Sequence, residues 1–425
     1  MENSVDVPDQ KRSGGMLWLI ILIFFIISLM SNVLGPIIPG IIDSFSLSYA
    51  LAGFLPFSFF VAYGVMSLPA GLLVERWKEK KTLLLAFALA TVGALVFGFQ
   101  PQFGTALGSL FIIGMGMAIL QVVINPLLRV VGGEEHFAFN SVLGQLAFGA
   151  ASFFSPMLYS YLDQNLYTPD AAPLVQMLEN WVPADMKWVS VYFLFAVIAL
   201  VMLGLIGVTK FPKVDLKADE KVEVGTDLRN LLGKRMVWMY FFGIFSYVGL
   251  EQGIANWVSQ FLEDYHGVDP SQEGAQVISY FWGLLTVGCL LGLALLKFLD
   301  SKLVLRVFSL GAVVTLLVGL LAEGGIVLVA FAFSGFCLSV MWSILISLAL
   351  NSVDFAHGTF AGILCSGIMG GAIVPLIIGT LAEVLTLRTA LFFLLIPLGY
   401  ILFISFWAKP LVTNARLSSL KDLFR

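Results

Sequence analysis

Charge is scarce in this chain. Of 425 residues only 12% are Asp, Glu, Lys or Arg, against about 25% in an ordinary soluble domain. That shortage excludes a water-soluble globular protein; the net charge of −4 says little, because placement matters more than the sum, and no nucleic-acid partner is expected. Histidine is rarer still. His136, His266 and His357 lie far apart with no partner at a ligand spacing, so no metal centre is expected. The three cysteines (Cys289, Cys337, Cys365) all fall inside apolar runs. They read as small packing residues, not as a disulfide framework. Long polar stretches are lacking too. The longest, 211–235, is too short and too charged to build a core, so no extramembrane domain is expected. Residues 1–15 are polar and the first apolar run is a full span, so a cleavable signal peptide is not expected.

What fills the chain instead is apolar sequence. Hydrophobic residues make up 59% of it. A bilayer core about 30 Å thick takes about 20 apolar residues of helix to cross, and a helix satisfies its own backbone in lipid. Twelve stretches fit: 16–41, 49–74, 82–99, 104–130, 139–162, 188–209, 236–262, 275–299, 303–322, 326–350, 359–385 and 389–408. Glu323-Gly324-Gly325 divides the ninth from the tenth, since the apolar run around it is too long for one span. The expected class is an all-α, multi-pass membrane protein.

Basic residues fix the expected orientation, because Lys and Arg gather on the cytoplasmic side. With the N-terminus in the cytoplasm, all of the 23 basic residues except Lys187 and Arg388 lie inside. Opposite loops carry acids: Asp163, Asp170, Glu179, Asp185, Glu263, Asp264, Asp269 and Glu273. A wrong number of spans would scramble this split. The chain also repeats. Gly71-Leu-Leu-Val-Glu75-Arg76 closes the second span, and Gly292-Leu-Ala-Leu-Leu-Lys297 closes the eighth, 221 residues later. Phe139 and Phe360 open the fifth and eleventh spans at the same offset. The expected layout is a tail (1–15), a six-helix bundle (16–210), a linker (211–235), a second bundle (236–408) and a tail (409–425). Parallel halves of this kind place a substrate site between them near the midplane.

The segment Gly71-Leu-Leu-Val-Glu75-Arg76-Trp-Lys78-Glu-Lys80-Lys81 resembles the signature loop between helices 2 and 3 of the major facilitator superfamily. Lys78 stands where that pattern has its second glycine, and Glu75 where it has Asp. More specific strings resemble the fucose and glucose/galactose sugar:cation symporter group. They are Gln121-Val-Val-Ile-Asn125-Pro126, Tyr247-Val-Gly-Leu-Glu251-Gln-Gly-Ile-Ala-Asn256-Trp257, and Gly362-Ile-Leu-Cys-Ser366-Gly367-Ile-Met-Gly370-Gly371-Ala-Ile-Val-Pro375. The resemblance covers nearly the whole chain. It implies twelve helices in two pseudo-symmetric bundles and cation-coupled sugar uptake at a bacterial inner membrane. A gating role is expected for Gly71, Glu75 and Arg76, with Gly71 allowing close helix contact and Glu75 pairing with cytoplasmic basic groups, against the alternative of a plain positive-inside loop; Arg129, at the cytoplasmic end of helix 4, is expected to gate or to snorkel. Proton-using members of the group can carry acids in helix 1 and at the position of Gln121; here helix 1 offers Asn32 and no buried acid.

Glu251 is the sharpest single feature, a carboxyl in mid-span with no basic residue in any neighbouring span interior. A charged side chain there costs about 2.5–3.5 kcal/mol on insertion scales. Desolvation disfavours the carboxylate, so the group suits proton binding or a sodium site. The alternative is a permanently protonated carboxyl used for packing. Amides come next. Asn32, Gln121, Asn125, Asn140, Gln145, Gln252 and Asn256 lie in or at the edges of spans. Amides donate and accept, as sugar hydroxyls do, though they also serve as helix–helix glue in membranes. Tyr247, Trp257, Tyr280, Trp282 and Trp342 are candidates for stacking on a sugar ring, against the alternative of interface anchors. The expected substrate site is Asn32, Gln121, Asn125, Gln145, Tyr247, Gln252, Asn256, Tyr280 and Trp342, with Glu251 for cation coupling.

The resulting expectation is a monomeric secondary transporter carrying a monosaccharide with a proton or sodium ion, no other cofactor, and both termini cytoplasmic. A drug or metabolite/proton antiporter is the alternative. An enzyme is not expected, because Glu251 has no second carboxylate, Ser/His pair or metal cluster in its half. The sugar's identity and the choice between proton and sodium stay open.

Overall fold

The structure is a computed structural model and describes residues 14–132, 137–211, 226–353 and 357–411. These residues form twelve long helices, several of them broken. α1 runs Gly14–Ser31 and resumes over Leu34–Phe45. Its break has a cause in sequence: Pro36 has no N–H to give the carbonyl of Asn32, so the helical ladder opens there. One helical segment, Tyr49–Phe99, contains both α2 and α3, which meet at a sharp turn at Lys78. α4 is Phe103–Gly132, α5 Phe137–Asn165 and α6 Ser190–Val208. α7 is Arg235–His266, α8 Ala275–Phe298 and α9 Ser301–Leu321. α10 (Gly325–Leu338, then Met341–Leu350) breaks where the Ser339 hydroxyl donates back to the carbonyl of Phe336 at 2.7 Å. α11 runs His357–Ser366 and Gly370–Val384 with a 3₁₀ turn at Gly367–Met369 between, and α12 ends with Leu395–Trp407. Eleven spans are long and apolar enough to cross a membrane. α7 is the twelfth. It is 32 residues long, and its polar positions lower its hydropathy.

The turn at Lys78 is a detail with consequences. Its φ of 66° and ψ of 168° belong to a region that glycine adopts freely and other residues rarely do. This is the position where the resembling loop pattern has glycine. The Thr82 hydroxyl donates to the Lys78 carbonyl at 2.8 Å and helps hold the bend.

Pairing of helix ends repeats across the molecule. Lys80, at the start of α3, donates to the carbonyls of Gly207 (2.7 Å) and Thr209 (2.9 Å) at the C-terminus of α6. Lys302, at the start of α9, donates to the Ala408 carbonyl just past α12 at 3.2 Å. Arg306 adds a bond to Ser405 at 3.4 Å and lies 3.8 Å over the Phe406 ring. Cations at helix C-termini complete open carbonyls and meet the negative end of the dipole. The same device therefore closes each bundle at its basic end.

At the other, acidic end the two bundles are shut against each other. A Cβ at Gly35 of α1 would run into the Ala255 carbonyl of α7, and one at Gly53 of α2 would stand 3.0 Å from the Cα of Leu376 in α11. Tyr49 donates to Asp264 at 2.7 Å, and the Ala50 N–H at the start of α2 donates to Glu383 at 3.2 Å. Trp257 donates to the Pro375 carbonyl at 3.0 Å and is fully buried in this seam, so it is neither a ring for stacking nor a lipid anchor.

Candidate functional site

Between the bundles lies a cavity of about 460 Å³. Its wall runs from Asn32 and Ser31, below the shut acidic end, to Ser141 and Leu296 near the basic end. α1, α2, α4 and α5 line one side; α7, α8, α10 and α11 line the other. The volume falls within the range of small-molecule pockets, about 300–1,000 Å³.

Glu251 faces this cavity. Its Oε1 accepts from Gln252 Nε2 at 3.3 Å, and the Tyr247 hydroxyl, one turn earlier, turns to the same carboxyl. Cys289 of α8 stands beside it and spends its thiol proton on the Ser339 carbonyl at 3.1 Å. Tyr247 packs against Trp342 of α10 with ring centroids 6.0 Å apart. Among the described residues no Lys or Arg lines the cavity. An ionised carboxylate here has amide and hydroxyl donors but no countercharge, the arrangement that most favours uptake of a cation.

Asn256 does not line the cavity, although it lies one turn from Gln252. It is 2% exposed, and its Nδ2 donates to the Gln252 carbonyl (2.7 Å) and Oε1 (3.2 Å). The second bond holds the Gln252 side-chain amide so that its own N–H₂ meets Glu251. Its part is indirect. Tyr280 is also absent from the wall: it is half exposed, and its ring meets Phe153 of α5 at 6.4 Å. The remaining described candidates come together, with Asn32, Gln121 and Gln145 opposite Tyr247, Gln252 and Trp342. Asn140 is buried outside the wall, while Trp282 is part of it. The side chains of Asn125, Glu75 and Arg129 lie outside the described residues. Gly71 lies on the helical segment leading to the Lys78 turn, and Arg76 is exposed at the basic end.

Sequence reasoning missed a serine network. Asn32 Nδ2 donates to Ser152 Oγ (3.0 Å) and Ser28 Oγ (3.3 Å), and the two hydroxyls are 2.6 Å apart. This ties α1 to α5 and fixes the asparagine amide at the cavity edge. Ser28 and Asn32 share a helix face at a spacing of four, but serine is too common in membrane helices for that spacing to stand out. Thr286 and Ser343 also reach the wall.

Two helical bundles enclose a largely apolar cavity in which a few amide and hydroxyl groups and one carboxyl converge, an arrangement suited to a membrane transporter. The model of the Major Facilitator Superfamily matches residues 20–364, and the chain belongs to that family. It is similar to a glucose/galactose transporter of Brucella abortus, with 29% identity over 94% of this chain and 95% of the relative. It is similar also to the L-fucose-proton symporter of Escherichia coli, with 23% identity over 85% of each chain. A crystal structure of the E. coli fucose:proton symporter superposes with a TM-score of 0.64 at 21% identity, covering 92% of this chain and 98% of that one.

Proposed function

We propose that this chain takes up a monosaccharide together with a proton or a sodium ion, by alternating access, at a bacterial inner membrane with both termini in the cytoplasm. Glu251 carries the reading: a carboxyl in the central cavity, ringed by amide and hydroxyl groups, with no cation against it among the described residues. The names of the relatives supply the substrate class. In this orientation the cavity faces the cytoplasm, and the shut acidic end is the outer gate. Asn32, Gln121 and Gln145 on one bundle and Gln252 on the other would bind sugar hydroxyls, with Trp342 and Tyr247 beneath the ring. Both bundles then hold the substrate, so its binding favours their approach. A cation on Glu251 cancels the buried charge and lowers the barrier to closing the cavity. The carrier acts as a monomer, since the site is complete within one chain.

The test is uptake of labelled glucose, galactose, mannose and fucose into proteoliposomes under imposed proton or sodium gradients. Accumulation of a sugar driven by an inward cation gradient is expected. Uptake of none of them, or uptake that the inward gradient opposes, would overturn the reading; the second result would favour a drug or metabolite/proton antiporter.

A further inference from the structure

The loop between α5 and α6 contains a short helix, Pro173–Glu179, that does not line the cavity. One side of this segment is built into the protein: Val175 and Val182 are 2% and 3% exposed. Tyr167 fixes it from the loop's first half, with its N–H donating to Glu179 Oε1 at 2.8 Å and its hydroxyl bonding the Val182 carbonyl. The other side is apolar and bare. Leu174, Met177 and Trp181, at spacings of three and four, are 58%, 66% and 59% exposed. Leu174 and Met177 share a helix face at that spacing, and Trp181 follows in the turn just past the helix's end, its N–H donating to the Leu178 carbonyl.

The stripe has a definite level. Trp181 packs edge-on against Phe99, the last residue of α3, with centroids 5.4 Å apart, and lies 6.3 Å from Phe193 in the first turn of α6. Both contacts lie at the ends of membrane spans. Below Trp181 the exposed apolar surface continues down α6 through Val197, Leu200 and Val201, the face that meets lipid. Polar groups of the segment are spent on nearby partners: Gln176 bonds the Ala171 carbonyl, Asn180 the Met177 carbonyl, and Glu179 accepts from the Tyr167 N–H. We propose that the Leu174–Met177–Trp181 stripe is seated in the bilayer interface at the acidic end and moors the first bundle to the membrane surface. Its occupant is the lipid headgroup and upper acyl region, continuous with the belt below; interfacial tryptophan and a one-sided apolar helix are the usual means of such seating. The corresponding connection of the second bundle is too short for such a helix, since only Leu385 and Thr386 separate α11 from α12.

The test uses the full-length protein with Cys289, Cys337 and Cys365 replaced by Ala and a single new cysteine, Met177→Cys or Ala184→Cys, carrying a bimane label. It is reconstituted in phosphatidylcholine vesicles with spin labels at acyl carbon 5 or carbon 12. The label at 177 is expected to emit to the blue of the label at 184, and carbon 5 should quench it at least twofold more than carbon 12. The exposed label at 184 should be quenched by neither. Water-like emission at 177 without quenching, or equal quenching at 177 and 184, overturns the proposal. So does stronger quenching from carbon 12, which would place the residue in the hydrocarbon and not at the interface.

Discussion

At the scale of single residues, Glu251 and Lys78 are each out of place, for opposite reasons. Glu251 is a carboxyl on the wall of the central cavity, with no Lys or Arg lining that cavity among the described residues. Glu251→Gln keeps the hydrogen-bond partners and removes the titratable group. We expect gradient-driven accumulation to be lost while sugar exchange across the membrane survives in part, since exchange needs no net cation movement. Counterflow and accumulation assays on the same vesicles check this, and wild-type accumulation would remove Glu251 from the mechanism. Lys78 holds a backbone conformation that costs a non-glycine residue about 1–3 kcal/mol. Its side chain is exposed, so nothing packed is lost on shortening it. Lys78→Gly should stabilise the folded protein by about 1 kcal/mol, read as a rise in unfolding temperature in detergent. An unchanged or lower midpoint would mean that the turn differs.

At the scale of elements, the paired caps on α6 and α12 are worth measuring. Lys80→Met and Lys302→Met each remove a cation from a helix C-terminus while keeping an apolar stem. Each should destabilise its bundle by about 0.3–1 kcal/mol, read from thermal unfolding, and the two losses should add, because the sites sit in different bundles. The helices were legible in the sequence because lipid demands about 20 apolar residues per span, and Lys and Arg mark the loops. Their breaks were harder to place. Pro36 accounts for the opening of α1 once the helix ends are known, and the interruption of α10 at Ser339 rests on a hydroxyl bonding its own backbone, which serine does without breaking many other helices. The site was legible as chemistry and less so as geometry. A helix that is apolar all round does not reveal which face looks inward, because lipid and protein core select the same residues. Asn256 shares a face with Gln252 yet is buried behind it, spending its amide on the Gln252 carbonyl and Oε1. Tyr280 lies on a face of α8 that turns toward α5. Neither placement leaves a mark in composition.

At the scale of the whole molecule, the proposed alternating access requires the bundles to part where they meet at the acidic end. Four carboxylates gather there from both of them: Asp43 of α1, Glu263 and Asp264 of α7, and Glu383 of α11, around Tyr49 and Gln260. Glu263 stands past the apolar part of α7. Partial burial, then the nearby Asp43 and Asp264, push its carboxyl up to about 7, with Asp269 adding to the push and the Gln260 amide opposing it. When the bundles part, Asp43 moves away with α1 and water returns, so the carboxyl falls back toward its ordinary value of about 4.3. The closed form therefore binds the extra proton between roughly pH 4.3 and pH 7. Lowering the pH through that window favours closure of this end; raising it through about 7 leaves Glu263 and Asp43 both charged and in mutual repulsion, which favours opening. Distance measurements between spin labels on α1 and α7 at this end should show the closed population growing from pH 8 to pH 5. In Glu263→Gln that pH dependence should shrink, with the closed form favoured throughout. A population that shifts toward opening on acidification would place the controlling proton on another group.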